Sequence, residues 1–170
     1  MNRHPVILNF WAGNQFLIFA CWVWLTAGSA QAQSQSADVA IVVNPACSLT
    51  DVSLPDLAKI FKAQRTKTPD GNKFVLTSRE TGSPERESIL SAVYQMSDPQ
   101  YEKYFLAATF AGTIQSAPKV IVTGVSVCQF VASEPGAIGY LRATETDNTV
   151  KVLKVEGKAP GDPNYPIKMK

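Results

Sequence analysis

Between positions 79 and 86 the chain reads Arg79-Glu80-Thr81-Gly82-Ser83-Pro84-Glu85-Arg86. Two guanidinium groups bracket a glycine and two hydroxyl side chains. A fork of N–H donors suits the oxygens of phosphate or a carboxylate. Gly82 allows close backbone approach, and Ser83 adds a hydroxyl. If the segment runs from a strand end into a helix start, free backbone N–H groups and the positive end of the helix dipole meet there and favour anions. The candidate ligand residues are therefore Arg79, Thr81, Gly82, Ser83 and Arg86. The same residues also satisfy ordinary capping: Ser83 can accept from the first turn of its own helix, and Arg79 can pair with Glu80, Glu85 or Glu87.

Other chemistry is thinly supplied. The one histidine, His4, lies near the N-terminus. The rest of the chain therefore lacks Ser-His-Asp, Cys-His and histidine acid–base catalysis. No phosphate loop of the Gly-x-x-x-x-Gly-Lys kind and no Gly-x-Gly-x-x-Gly occurs, and no acidic pair stands out as a glycosidase couple. A non-enzyme is expected, with no cofactor and no metal. The net charge of +2 argues for neither a nucleic-acid nor a membrane-surface partner.

The first 32 residues read as a signal peptide. Arg3 supplies the positive start, Phe16 to Ala27 the apolar run, and Ala30-Gln31-Ala32 the cleavage site. A periplasmic protein is expected. Residues 33–37 form a disordered lead-in, 38–157 one folded domain, and 158–170, with its three prolines, a loosely packed tail. Cys47 and Cys128 then remain. In an oxidising compartment they could form one disulfide or stay as two buried thiols. A bridge closing so long a loop would stabilise by about 4 kcal/mol.

These residues must be positioned by alternating strands and helices. Val39 to Val43 is a continuous apolar run, as in a strand buried on both faces. Ser53 opens a helix carrying Leu57, Ile60 and Phe61 on one face. Pro69-Asp70-Gly71 marks a turn, and Phe74 to Leu76 a second strand ending at Arg79. Ser83-Pro84 opens the next helix, with Ile89, Val93 and Met96 as its buried stripe. Ser97-Asp98-Pro99 starts another, with Tyr101, Phe105 and Ala108 on one side. Val120 to Val122 is a third strand. Thr123 or Ser126 begins a helix with Val127, Phe130 and Val131, and Glu134-Pro135-Gly136 ends it. Ala137 to Leu141 is a fourth strand, and Val150 to Val155 a fifth at an edge. The class is α/β, with a mostly parallel sheet flanked by helices.

Four segments then occur in a telling order: Leu57-Ala58-Lys59-Ile60-Phe61, Pro69-Asp70-Gly71, Arg79-x-x-Gly82-Ser83, and Pro135-Gly136-Ala137-Ile138-Gly139-Tyr140. Together they resemble one lobe of the phosphate-binding proteins of ABC transporters, over about Ile41 to Leu141. The resemblance implies a single lobe of a periplasmic-binding-protein-like fold. It implies Arg79, Gly82 and Ser83 as phosphate-binding positions. Departures lie close by. Thr81 stands where the family has an aspartate, Pro84 replaces a glycine and removes an N–H donor, and Glu85 replaces a threonine and adds negative charge. Ala63 and Thr68 stand where the family usually has Gly and Trp.

The two-lobed proteins bury their ligand between lobes; a single lobe leaves it wet. Each lost charge-assisted hydrogen bond is worth roughly 1.5–3 kcal/mol, so weak binding is expected. The resemblance thus implies weak binding of inorganic phosphate or another small oxyanion, within phosphate transport or beside an envelope or membrane protein that supplies the other face. A different class fits as well: an interaction or sensory module that kept the fold and lost the ligand.

Overall fold

The computed structural model describes residues 38–169. The expected signal peptide and the 33–37 lead-in lie outside them. Among the described residues, no helix is long and apolar enough to cross a membrane.

The Val39–Val43 run forms β1, with every residue fully buried. Two further strands follow it, β2 (Asp51–Val52) and β3 (Val75–Arg79), with helix α1 (Leu54–Phe61) between them. Helix α2 (Pro84–Ile89) runs on through a π-turn over Leu90–Tyr94. Then come α3 (Asp98–Phe110), β4 (Lys119–Ile121), α4 (Gly124–Ser133) and β5 (Ala137–Arg142). Two short strands, β6 (Lys151–Val152) and β7 (Lys154–Val155), complete the order.

The main sheet has the order β4-β3-β5-β1-β6. β3 is parallel to β4 and β5, and β1 is antiparallel to β5 and β6, so four of the five strands point one way. β2 and β7 form a small parallel pair apart from it. The expected fifth strand is therefore divided at Leu153, which is fully buried: one half edges the main sheet and the other joins β2.

Helix starts follow one device. Ser53, Ser83 and Ser97 each precede a helix with proline in its first turn, and Thr123 caps α4. The Ser53 hydroxyl accepts from the Asp56 N–H at 3.2 Å, and Thr123 accepts from Ser126 at the same distance. At the start of β5, Gly136 takes φ +85°, and a Cβ there would lie 2.2 Å from the Lys73 carbonyl oxygen. The Pro-Gly corner is thus dictated by both backbone angle and crowding.

Because side chains alternate along a strand, β1 feeds two cores. Ile41 and Val43 pack with Leu57, Phe61, Ile89 and Tyr140 on the α1–α2 face. Ala40 and Val42 pack with Val127, Val131 and Leu141 beneath α4. Cys47 belongs to the first cluster and Cys128 to the second, and both are free. This corrects the disulfide expectation: the sheet stands between the two thiols. Under non-reducing conditions in guanidinium, Cys47 and Cys128 should both take up iodoacetamide. A peptide mass for the linked pair would contradict the structure.

The tail also departs from expectation. Tyr165 and Ile167 are buried. The Tyr165 hydroxyl donates to the Val39 carbonyl at 2.9 Å, and the Val39 N–H donates to the Ile167 carbonyl at 3.0 Å. Asp38 accepts from the Gly161 N–H at 2.7 Å and pairs with Lys168 at 2.8 Å. Two apolar anchors therefore fasten a proline-rich segment that composition alone marks as loose.

Candidate functional site

The carboxyl ends of the parallel strands β3, β4 and β5 lie along one edge of the sheet. The chain leaves β3 into α2 and leaves β4 into α4, whose residues join cores on opposite faces. Such a parting of connections opens a crevice at the strand ends of α/β sheets. Arg79 is the last residue of β3, in register with Ile121 of β4.

Arg79 is 7% exposed, and its Nε and Nη1 are buried with no hydrogen-bond partner among the described residues. None of the ion pairs among the described residues includes it. Its backbone N–H donates to the Tyr140 hydroxyl at 3.1 Å, which ties the end of β3 to β5. The Tyr140 and Ser78 hydroxyls share a further hydrogen bond of 3.1 Å. Burial, eased by these two contacts, pushes the Tyr140 phenol up to about 12. A buried guanidinium with open donors is costly unless something accepts from it.

Arg86 has the opposite character. Its side chain is 2% exposed and fully engaged. Nε and Nη2 donate to Asp98 at 2.8 and 2.6 Å, and Nη2 also reaches Glu102 at 2.7 Å. Nη1 donates to the Ser78 hydroxyl and to the Arg79 carbonyl, both at 3.1 Å. The guanidinium lies 4.5 Å from the centre of the Tyr101 ring. Burial opposes its charge, but the Asp98 and Glu102 carboxylates more than offset this and hold its pKa above the ordinary arginine value. The expectation of Arg86 as a ligand residue is corrected accordingly: its charge is neutralised, and its role is to lock α2 to α3.

The two arginines also diverge in direction. Arg86 bonds Ser78, whereas alternation turns Arg79 to the other face, shared with Thr77. Thr77 and the α4 residue Val127 both crowd Gly139 of β5, which marks that face as the α4 side.

The remaining residues form the turn between them. Gly82 takes φ +82° with open space beside it. Thr81 and Gly82 are exposed and line a shallow cleft with Arg86, Leu90, Ser97 and Asp98. Ser83 is buried, and both its groups are occupied. Its hydroxyl donates to the Glu80 carbonyl at 2.9 Å and accepts from Arg86 at 3.3 Å, while its N–H donates to the same Glu80 carbonyl at 3.2 Å. Glu85 is buried and faces Arg142 at 3.4 Å. The structure thus brings Thr81, Gly82 and Arg86 together and sets Arg79 apart.

Sequence reasoning missed Asp98, Glu102 and Arg142. Asp98 was visible only as part of a helix start. Among the described residues, no group of acidic, cysteine or histidine side chains could hold a metal ion.

The fold is similar to about half of several solved phosphate-transport substrate-binding proteins. The chain superposes on an ABC-type phosphate transport receptor from Vibrio cholerae with TM-score 0.58 and 22% identity, over 72% of this chain and 48% of that one. It superposes on a protein assigned as a phosphate ABC transporter substrate-binding protein from Clostridium perfringens, with bound phosphate, at TM-score 0.59 and 20% identity, over 72% and 46%. PstS from Borrelia burgdorferi gives 0.58 and 19%, over 78% and 55%. The chain spans about half the length of these structures. No family model matches the sequence, and no curated protein does.

Proposed function

We propose that this chain forms a solute-binding lobe of the cell envelope, exported to the periplasm, that takes phosphate or a similar oxyanion weakly at the carboxyl end of β3. The observation that carries this reading is Arg79: a buried guanidinium whose Nε and Nη1 have no partner among the described residues. An oxyanion supplies the acceptors those donors lack. Thr81 and Gly82 follow Arg79 in the chain but line the separate cleft with Arg86, so the reading rests on Arg79 and not on them. Ser83 contributes by fixing the start of α2, since its hydroxyl and N–H already serve the turn. With one charge and one face, affinity is weak, and a partner protein that covers the crevice would raise it.

Calorimetry with phosphate, sulfate and acetate tests this. Phosphate should give a saturable heat at millimolar concentration, and Arg79→Ala should weaken it by roughly 10- to 100-fold, the loss of one charge-assisted contact. No saturable heat for any of the three anions would overturn the reading.

One set of contacts favours a second reading, a ligand-free interaction module. Ser83 is occupied by its own turn, and Arg86 is neutralised. That reading gains if anions leave the melting temperature unchanged while an envelope protein binds the crevice in an Arg79-dependent way.

A further inference from the structure

We propose a second ligand site at the opposite end of β3, for a small amphipathic organic anion. A cleft of about 420 Å³ lies between the end of α1, the start of β3 and the connection from α3 to β4. That volume falls within the usual span of small-molecule sites, roughly 300–1,000 Å³. Ile60, Leu76 and Ile114 give it apolar surface, and Arg65 and Lys73 bring cationic side chains to it. Among the described residues, no acidic side chain lines the cleft. Neither cation forms an ion pair among the described residues. Lys119 also borders the cleft, but its ammonium stands 4.1 Å from the centre of the Phe130 ring and is engaged there.

The walls are held by backbone hydrogen bonds. The Arg65 N–H donates to the Lys59 carbonyl at 3.1 Å, and Phe74 donates to Thr66 at 2.9 Å. On the far wall, Thr113 and Ile114 donate to the Ala108 carbonyl at 3.0 and 3.4 Å. Apolar surface beside unpaired cations on a braced frame matches a ligand with a hydrocarbon body and one anionic head. Arg65 also follows α1, where a cation offsets the negative helix end. Lys73 has no such duty. β3 separates this cleft from Arg79 by four residues, about 13 Å at strand spacing. The proposal therefore stands independently of the oxyanion reading.

The test is an amide-shift titration of the full chain with decanoate and, separately, with 1-decanol. Decanoate should give saturable shifts centred on Ile60, Leu76 and Ile114, and decanol should bind at least tenfold more weakly, as expected when a charge-assisted contact is absent. The double variant Arg65→Ala/Lys73→Ala should lose about tenfold or more in decanoate affinity. Both residues are polar and away from the core, so the variant should keep the wild-type spectrum elsewhere. Arg79→Ala should bind decanoate as the wild type does. Equal binding of decanol, unchanged affinity in the double variant, or shifts centred on the exposed Phe110 and Val125 instead would overturn the proposal.

Discussion

Replacing the two arginines that bracket the β3–α2 turn should move stability in opposite directions. Arg86→Ala is expected to cost about 2–4 kcal/mol, mainly from the buried hydrogen bonds and packing it loses, because Asp98 and Glu102 stand 27% and 67% exposed and can turn to water. The substitution takes away the charged contacts to Asp98, Glu102, Ser78 and the Arg79 carbonyl, and it leaves a void against Tyr101. That is a large part of the roughly 5–15 kcal/mol that holds an ordinary domain folded. Arg86→Lys keeps the charge and loses the fork, so it should fall between the two. Arg79→Met should instead leave stability equal or raise it by about 1 kcal/mol, because it removes buried donors that nothing satisfies. Urea unfolding of the three variants settles the matter. If Arg79→Met proved as damaging as Arg86→Ala, then Arg79 would be structural and the oxyanion reading would lose its basis.

Alkali should unfold the protein in a window set by its buried tyrosines. Burial pushes the Tyr140 phenol from its ordinary 10 up to about 12. Burial and the neighbouring Tyr101 raise Tyr94 as well, and burial with the Asp38 charge raises Tyr165. A phenol whose folded pKa exceeds its unfolded value stabilises the fold fully below the unfolded value. That stability is lost as pH rises towards the folded value, because the unfolded chain releases its proton first. For Tyr140 the two-unit gap corresponds to about 2–3 kcal/mol, and Tyr94 and Tyr165 add to it in the same direction. The urea midpoint should hold steady below pH 10 and fall steeply between pH 10 and 12. Tyrosinate absorbance should appear together with unfolding. A flat midpoint across that window, with tyrosinate forming in the folded protein, would refute the assignment. Tyr140→Phe should flatten part of the slope while costing some stability, since it strips the acceptor from the Arg79 N–H.

Much of the frame was legible because its causes are local. The Val39–Val43 run declares burial on both faces, and the serine–proline helix starts carry their own capping chemistry. What escaped depends on residues far apart in sequence. The partners of Arg86 lie 12 and 16 positions away on another helix, so nothing near residue 86 reveals that its charge is taken. Arg79 was legible as a candidate, but its isolation was not, since that follows from the sheet turning it away from its neighbours. The π-turn over Leu90–Tyr94 shifts the helical phase. It brings Leu90 and Tyr94 into the core and leaves Met96 only partly covered, where a regular period predicts Met96 inside. The tail misled for a similar reason: three prolines suggest looseness, while Tyr165 and Ile167 find their pocket only once β1 is in place.

The position of β1 has a kinetic corollary. Among the described strands, the first in sequence is sandwiched between two of the last, β5 and β6, and its opening residue is latched by Ile167. Its closure must therefore await the final stretch of polypeptide, and pairings so distant along a chain form slowly. Until residues as far along as Ile167 have joined it, β1 has no complete partner set.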